Sequence, residues 1–436
     1  MTLGNREAWV EVTVPGDKSI SHRALILASL SRGTSLLRGV LAGADTQATS
    51  DAMRALGVAT PVLPSDGGEF AVRGHGLRGL RAPDGVIDCG NSGTTARLLL
   101  GLLSGVPFSA TLTGDDSLRS RPMRRVTEPL ERAGARFEEL GEADRLQIRV
   151  TGGALRRVDH ESPKASAQVK SALLLAGLSA GVPVQVTEPV ISRDHTERML
   201  RAMGAEVESA PTANGRWRIV FQPPEFLEPI DVDVPGDFSS AAFFIALAAA
   251  WPGGAVRIAG VGVNPTRVGM LEVMSRMGAP VALENSCEVC GEPVADVIAS
   301  AAQLKGTTIE ADEVPSLIDE IPILAVLAAR AEGETTVRGA SELRVKESDR
   351  IRAVVDNLRA VGVEAEELED GFVVRGTDAP LSGTVESHGD HRIAMAFGVL
   401  GALPGNRIEI DEPDVVGVSY PTFWETLGST AASLER

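Results

Sequence analysis

The chain has 436 residues, 43% of them hydrophobic, and a formal net charge of −17 from 42 basic and 59 acidic side chains. That length favours two or three domains with sizeable cores, and the acidic balance argues against a general nucleic-acid or membrane-surface binder. The longest apolar run, Ala241–Trp251, is far below the ~20 residues of a membrane span; three cysteines make no disulfide framework and suit a reducing cytoplasm; and Met1–Trp9 has no basic stretch leading into an apolar one, so no secretion signal is expected.

Two stretches nearly repeat. Val14-Pro15-Gly16-Asp17-Lys18-Ser19 recurs as Val234-Pro235-Gly236-Asp237-Phe238-Ser239, 220 residues later. The first copy carries Lys18, Ser19 and Arg23, a set suited to an anion, and the second does not. A duplicated scaffold with unduplicated charges implies one asymmetric site.

A finer repeat runs through both halves. Six apolar helical runs each lead to a glycine and then to a β-type run. They are Ala24–Leu30 with Gly33, Leu98–Leu103 with Gly105, Ala172–Leu178 with Gly181, Ala242–Ala250 with Gly254, Ile323–Ala329 with Gly333, and Ile393–Leu403 with Gly405. Successive glycines stand 72 to 79 residues apart, and each is expected to cap its helix in the left-handed conformation. Strands are expected at Val184–Val190, Val256–Val261 and Thr335–Ala340. A second, amphipathic helix then ends near Gly57, Gly134, Gly204, Gly278, Gly362 and Gly428. The expectation is an α/β chain of six units, three per lobe, with the apolar helices buried. The crossovers are placed near Gly16 and Gly236, so one lobe spans 17–235 and the other joins 1–16 to 236–436.

Polar motifs precede these helices. Before the apolar ones stand Asp17-Lys18-Ser19 with Arg23, Asn91-Ser92-Gly93-Thr94 with Arg97, Ser166-Ala167-Gln168, Asp319-Glu320 and Asp390-His391-Arg392. Before the amphipathic ones stand Arg119–Arg125, Ser192-Arg193-Asp194-His195 and Arg344–Arg350. Helix N-termini offer free N–H groups and a positive dipole end, suited to phosphate and carboxylate. The added Lys and Arg point to a cleft for strongly anionic small molecules. Each motif has a plainer reading: the charges as a solvated face, the Asn91 loop as a turn and cap. Gly16-Asp17-Lys18-Ser19 lacks the upstream glycine of a nucleotide P-loop, which argues against ATP. Cys287/Cys290 and His388/His391 have ligand-like spacing, but almost 100 residues separate the pairs, and no metal site is expected. Cys89 reads as a core filler rather than a nucleophile.

Together these motifs resemble the enolpyruvyl transferase family over essentially the whole chain. The strongest pieces are Pro15–Arg23, Gly90–Arg97 and Leu343–Arg350, with Gly389-Asp390-His391-Arg392 in order behind them. The resemblance implies a two-lobed inside-out α/β barrel-like fold of βαβαββ-type units, with the active site between the lobes. It implies transfer of the enolpyruvyl group of phosphoenolpyruvate to the 5-hydroxyl of shikimate 3-phosphate through a tetrahedral intermediate, with phosphate released and no metal or organic cofactor. Glu347 then matches the proton donor to carbon, Asp319 the base at the hydroxyl, and Lys18 a phosphoenolpyruvate contact sharing in proton transfer. Phosphoenolpyruvate would further meet Gly93, Arg121, Gln168, Arg350 and Arg392. Shikimate 3-phosphate would meet Ser19, Arg23, Ser166, Gln168, Arg193, Asp319 and Lys346. Asp319 could instead merely cap a helix.

Two departures stand out. Ala167 replaces a serine common in the family, and Val418 stands near the place of a lysine found in some members. The small Gly93 is typical of members sensitive to glyphosate. The family resemblance also implies a cytoplasmic, commonly monomeric enzyme. One rival is the sister transferase that uses UDP-N-acetylglucosamine, whose usual loop cysteine is missing from Gly114–Arg119 and whose Lys-Asn is Lys18-Ser19 here. Another is a catalytically silent anion-binding module, against which Lys18, Asp319 and Glu347 together speak.

Overall fold

The computed structural model describes residues 9–436, so the expectation drawn from the first eight residues lies outside the described residues. The chain divides into two compact units. An N-terminal unit comprises Gly16–Val234 with Glu288–Glu292. A C-terminal unit comprises the chain through Pro15, Pro235–Cys287 and Pro293–Arg436. Each unit has its own apolar core. Among the described residues no helix is long and apolar enough to cross a membrane.

The apolar runs form helices buried nearly all round. In Phe238–Ala250 every residue but the last is buried, and in Ile321–Ala328 all are. Such helices present no polar face to water, so they must be enclosed by other elements. Backbones come close where glycine permits: a Cβ added at Gly101 of Gly93–Ser104 would lie 2.0 Å from Ala172 O of the helix Ala167–Ala180.

Among the described residues each unit holds three small sheets. In one, Val158–Glu161 runs parallel to Val184–Glu188, which pairs antiparallel with Trp217–Gln222, itself antiparallel to Glu206–Pro211. Ile87–Asp88, Ser109–Thr113, Ile148–Thr151 and Arg136–Glu139 pair in the same pattern. So do Thr308–Ile309, Glu334–Val337, Gly371–Arg375 and Glu364–Leu368 in the C-terminal unit. A parallel pair needs a long crossover, and the buried helix supplies it. The expected strands at 184, 256 and 335 appear as Val184–Glu188, Ala255–Gly262 and Glu334–Val337.

The glycine expectation needs correction. Of the six glycines after the apolar helices, only Gly181 is a left-handed C-cap, at φ 68°. Gly33, Gly333 and Gly405 do have the expected positive φ (138°, 91° and 86°) but lie beyond the caps Ser31, Ala329 and Leu403, whereas Gly105 caps with φ −98° and Gly254 follows the cap Trp251. Left-handed glycines instead close five amphipathic helices, at Gly57, Gly134, Gly204, Gly278 and Gly362. Each makes the paired bonds of a Schellman motif, as in Gly57 N–H to Arg54 O (3.0 Å) and Val58 N–H to Met53 O (3.0 Å). Gly428 is inside the helix Phe423–Leu434 and ends nothing.

The duplicated segment does the same work in both units. Asp17 caps the helix Lys18–Leu30 by accepting from Ile20 N–H, and Asp237 caps Phe238–Ala250 by accepting from Ser239 and Ser240 N–H. Gly16 sits so close to its neighbours that an added Cβ would be 1.8 Å from Gly39 O. The scaffold thus brings a helix N-terminus, with its free N–H groups, to each polar motif.

Candidate active site

In the N-terminal unit three helix starts carry the expected residues. Lys18 and Ser19 open Lys18–Leu30. Gly93 opens Gly93–Ser104 behind its cap Ser92. Ser166 caps Ala167–Ala180, its hydroxyl 3.5 Å from Val169 N, with Gln168 one residue into the helix.

Lys18 Nζ pairs with Asp45 Oδ2 at 2.5 Å. Asp45 is tied onward, because Thr95 Oγ1 lies 3.3 Å from Asp45 O, to which it can donate, and 2.8 Å from Ser92 Oγ. Gly93 lies under two guanidinium groups: a Cβ placed there would stand 2.8 Å from Arg97 Nη1 and 3.3 Å from Arg121 Nη1. Arg97 Nη1 donates to Gln168 Oε1 (2.7 Å), and Gln168 Nε2 donates to Thr94 Oγ1 (3.0 Å). Arg121 Nη2 donates to Asn91 Oδ1 (2.5 Å) and Ser117 Oγ (3.1 Å). The structure therefore brings Gly93, Arg121 and Gln168 into one cluster through Asn91 and Arg97.

The arginine-rich run does not act as one face. Arg119 pairs with Asp116 and Arg124 with Glu139 on the surface, and Arg121 alone of these turns toward Asn91. Arg23 is buried inside its helix. It donates to Ser19 O (2.8 Å), Thr196 Oγ1 (2.7 Å) and Ser171 Oγ (2.8 Å), and burial lowers its pKa to about 10. It thereby holds three helices in register beside Ser19. Arg193 is half-buried in the loop before the helix His195–Ala202.

In the C-terminal unit the expected residues gather around Arg350, the first residue of Arg350–Ala360 and only 1% exposed. Its Nε and Nη2 donate to Asp390 Oδ2 (2.8 Å) and Oδ1 (3.2 Å), its Nη2 to Glu347 Oε2 (2.6 Å), and its Nη1 to Asp319 Oδ1 (3.4 Å). Burial opposes the guanidinium charge, but Asp390 and Glu347 outweigh it and raise the pKa further. Asp390 caps His391–Ala402 and is itself held below the ordinary carboxylate range: burial opposes its charge, and Arg350 more than offsets that. Lys346 Nζ lies 3.4 Å from Asp319 Oδ1, and Arg392 Nη1 donates to Asp319 O at 3.2 Å.

Asp319 is not the cap of its helix; Glu320 occupies that position before Ile321–Ala328, so the carboxylate of Asp319 is left to Lys346, Arg350 and Arg392. Two carboxylates, 13% and 23% exposed, are thus fixed by one arginine while still reaching solvent. That arrangement can donate and accept protons. Among the described residues no group of three or more His, Cys, Asp or Glu could hold a metal ion.

Sequence reasoning passed over Asp45 and the clamping roles of Asn91, Arg97 and Asp390. Asp45 lies in Ala42–Gln47, which has no local signal; only the fold sets it against Lys18. Ala167 occupies the first position of its helix, and Val418 ends the short turn Pro413–Val418.

The sequence model of the EPSP synthase family, described as 3-phosphoshikimate 1-carboxyvinyltransferase, matches residues 7–427. A 3-phosphoshikimate 1-carboxyvinyltransferase from Sulfurihydrogenibium sp. (strain YO3AOP1) is 50% identical over 414 residues, covering 95% of each chain. One from Geobacter metallireducens is 49% identical over 422 residues, covering 97% of this chain and 96% of the relative. Among solved structures, EPSP synthase from Acinetobacter baumannii superposes with a TM-score of 0.84 at 42% identity, covering 98% of this chain and 96% of that one.

Proposed function

The chain belongs to the EPSP synthase family, and from that premise we propose how its residues divide the work. The reaction is enolpyruvyl transfer from phosphoenolpyruvate to shikimate 3-phosphate, a step of the shikimate pathway.

Glu347 protonates the methylene carbon of phosphoenolpyruvate, and the neighbouring carbon becomes electrophilic. The 5-hydroxyl oxygen of shikimate 3-phosphate attacks that carbon while Asp319 takes its proton. In the tetrahedral intermediate the carbon–oxygen bond to phosphate breaks, and the proton held by Asp319 passes to the leaving phosphate. A proton leaves the new methyl group to Glu347, restoring the double bond, and phosphate departs. Lys18, Gly93, Arg121, Gln168, Arg350 and Arg392 receive phosphoenolpyruvate, with Lys18 sharing in proton transfer. Ser19, Arg23, Ser166, Gln168, Arg193, Asp319 and Lys346 receive shikimate 3-phosphate. Both substrates carry a phosphate and a carboxylate, which bidentate arginines and point-charge lysines suit.

This reading gives the proton-transfer pair to the C-terminal unit and most of the anion grip to the N-terminal one. The observation that carries it is the buried Arg350, which holds Asp319 and Glu347 in one cluster. Arg350 is bonded to three carboxylates, so besides receiving phosphoenolpyruvate it sets the positions of the acid and base. With Val418 in place of a lysine, phosphate binding leans on Lys18, Arg121 and Arg392.

The six-unit inside-out architecture, with lobes 17–235 and 1–16 plus 236–436, belongs to the same proposal, as do a monomeric state, a cytoplasmic location and independence of cofactors. The test is inorganic phosphate release from phosphoenolpyruvate, with shikimate 3-phosphate or UDP-N-acetylglucosamine as acceptor. Release that requires shikimate 3-phosphate supports the reading. Release only with the nucleotide sugar would move the chain to the sister transferase, and none with either would leave a binding module.

A further inference from the structure

Beneath the loop Ser192–His195 lies a charged cluster that the reaction, as described above, does not use. Lys170 and Glu188 are each 1% exposed, and Glu197 is fully buried. Lys170 Nζ donates to Glu188 Oε1 (3.0 Å) and Ser192 O (3.0 Å), and pairs with Glu197 Oε1 at 2.8 Å. Glu188 Oε1 accepts from Ser192 N–H (2.8 Å), and both its oxygens lie 2.9 Å from Ser192 Oγ. Both backbone groups of Ser192 are therefore gripped, the N–H by a carboxylate and the C=O by an ammonium.

The neighbours of these residues give the cluster its meaning. Lys170 stands two residues after Gln168 and four after Ser166, on the first turns of Ala167–Ala180. Ser192 stands one residue before Arg193. Glu197 is on the first turn of His195–Ala202, the helix that follows the loop. One lysine thus ties the segment carrying Ser166 and Gln168 to the segment carrying Arg193. Burying three charged groups is costly, and well-packed apolar residues would stabilise as much or more. Apolar packing, however, cannot hold the backbone on both sides of one residue, by its N–H and by its C=O.

We propose that Lys170 and Glu188 are positioning residues for Arg193, fixing its loop against Ser166 and Gln168 so that the three present one preformed face to the acceptor anion. The proposal rests on the reading that Arg193 binds shikimate 3-phosphate.

The test is a double-mutant cycle on the full chain, with Kd for shikimate 3-phosphate measured by calorimetry for wild type, Lys170→Met, Arg193→Ala and the double variant. Each single variant is expected to weaken binding roughly tenfold or more, the scale of a misplaced contact. If Lys170 acts through Arg193, the double variant binds within about twofold of Arg193→Ala. The kcat of Lys170→Met at saturating substrate is expected to stay near wild type while KM for the acceptor rises. Additive losses, or an unchanged Kd in a folded Lys170→Met, would overturn the proposal, as would a fall in kcat or in thermal stability alone. Should Lys170→Met not fold, Glu188→Gln is judged by the same criteria. Normal binding by Arg193→Ala would show that the underlying reading of Arg193 is wrong, and the proposal would fall with it.

Discussion

Arg350 donates to Glu347 Oε2 across 2.6 Å from a guanidinium that is 1% exposed, while the glutamate itself is 23% exposed. A buried, permanently charged group thus aims a carboxylate that still reaches solvent. An acid acting at carbon must be oriented and must still meet its substrate, and the arginine supplies the orientation.

Removing the proton without the shape should separate binding from turnover. Glu347→Gln is expected to lower kcat by a factor of about 10²–10⁴, the usual scale of general acid–base catalysis. The rise in melting temperature on adding both substrates should persist. Turnover equal to wild type would remove Glu347 from the role of acid.

Asp390 is the buried partner that balances Arg350. Asp390→Asn keeps a capping side chain but takes away the bidentate, fully buried partner of the guanidinium and leaves it Glu347 and Asp319, so up to about 3–5 kcal/mol of stability should be lost in denaturant melts at pH 7. Its folded pKa is depressed, with burial opposing and Arg350 dominating that shift. The contribution is therefore complete above the unfolded aspartate value of about 3.9 and is lost only as pH falls through the still lower folded value. A wild-type protein whose stability advantage over the variant vanished between pH 7 and 5 would contradict this assignment.

Gly93 has no room for a methyl group without moving Arg97 Nη1 and Arg121 Nη1, 2.8 and 3.3 Å from the added carbon. Gly93→Ala is expected to raise the glyphosate concentration for half inhibition at least about tenfold, the size of effect a hydrogen-bonded anion contact can carry. It should raise KM for phosphoenolpyruvate as well. Unchanged inhibition in the variant would mean that glyphosate does not sit against this helix start.

Close backbone approach can be told from mere loop position by two glycines. Gly16→Ala would drive a carbon to 1.8 Å from Gly39 O, and overpacking of this kind costs about 1–3 kcal/mol or more. Gly417→Ala meets nothing within 4 Å and should melt like wild type within about 0.5 kcal/mol. Equal stabilities for the two variants would show that the backbone at Gly16 yields freely.

Burial pushes the Cys89 thiol well above its ordinary range, whereas Cys287 is exposed. Alkylation at pH 8 is expected to label Cys287 and spare Cys89, with phosphate release unaffected. Loss of activity that tracks modification of Cys89 would restore it as a candidate nucleophile.

What the chain determined by itself was its periodic pattern. Apolar runs at near-equal spacing must be buried, and the runs Ala24–Leu30 and Ala242–Ala250 lie inside fully or almost fully buried helices. The polar motifs lay before those runs, so their place at helix N-termini followed from sequence order alone. The place of single glycines did not follow: left-handed Schellman closure went to five amphipathic helices, whereas of the glycines after the apolar runs only Gly181 stands at the cap itself in that conformation. Pairings between distant segments were equally hidden. Nothing around Asp45 announces Lys18, nothing around Glu188 announces Lys170, and Arg350 and Asp390 are motifs whose bidentate contact spans 40 residues. Local residues dictate helices and caps because their hydrogen bonds close within a few positions. Which charge neutralises which is decided only when the packed helices bring their ends together, since an ion pair acts over a few ångströms and has no signature along the chain.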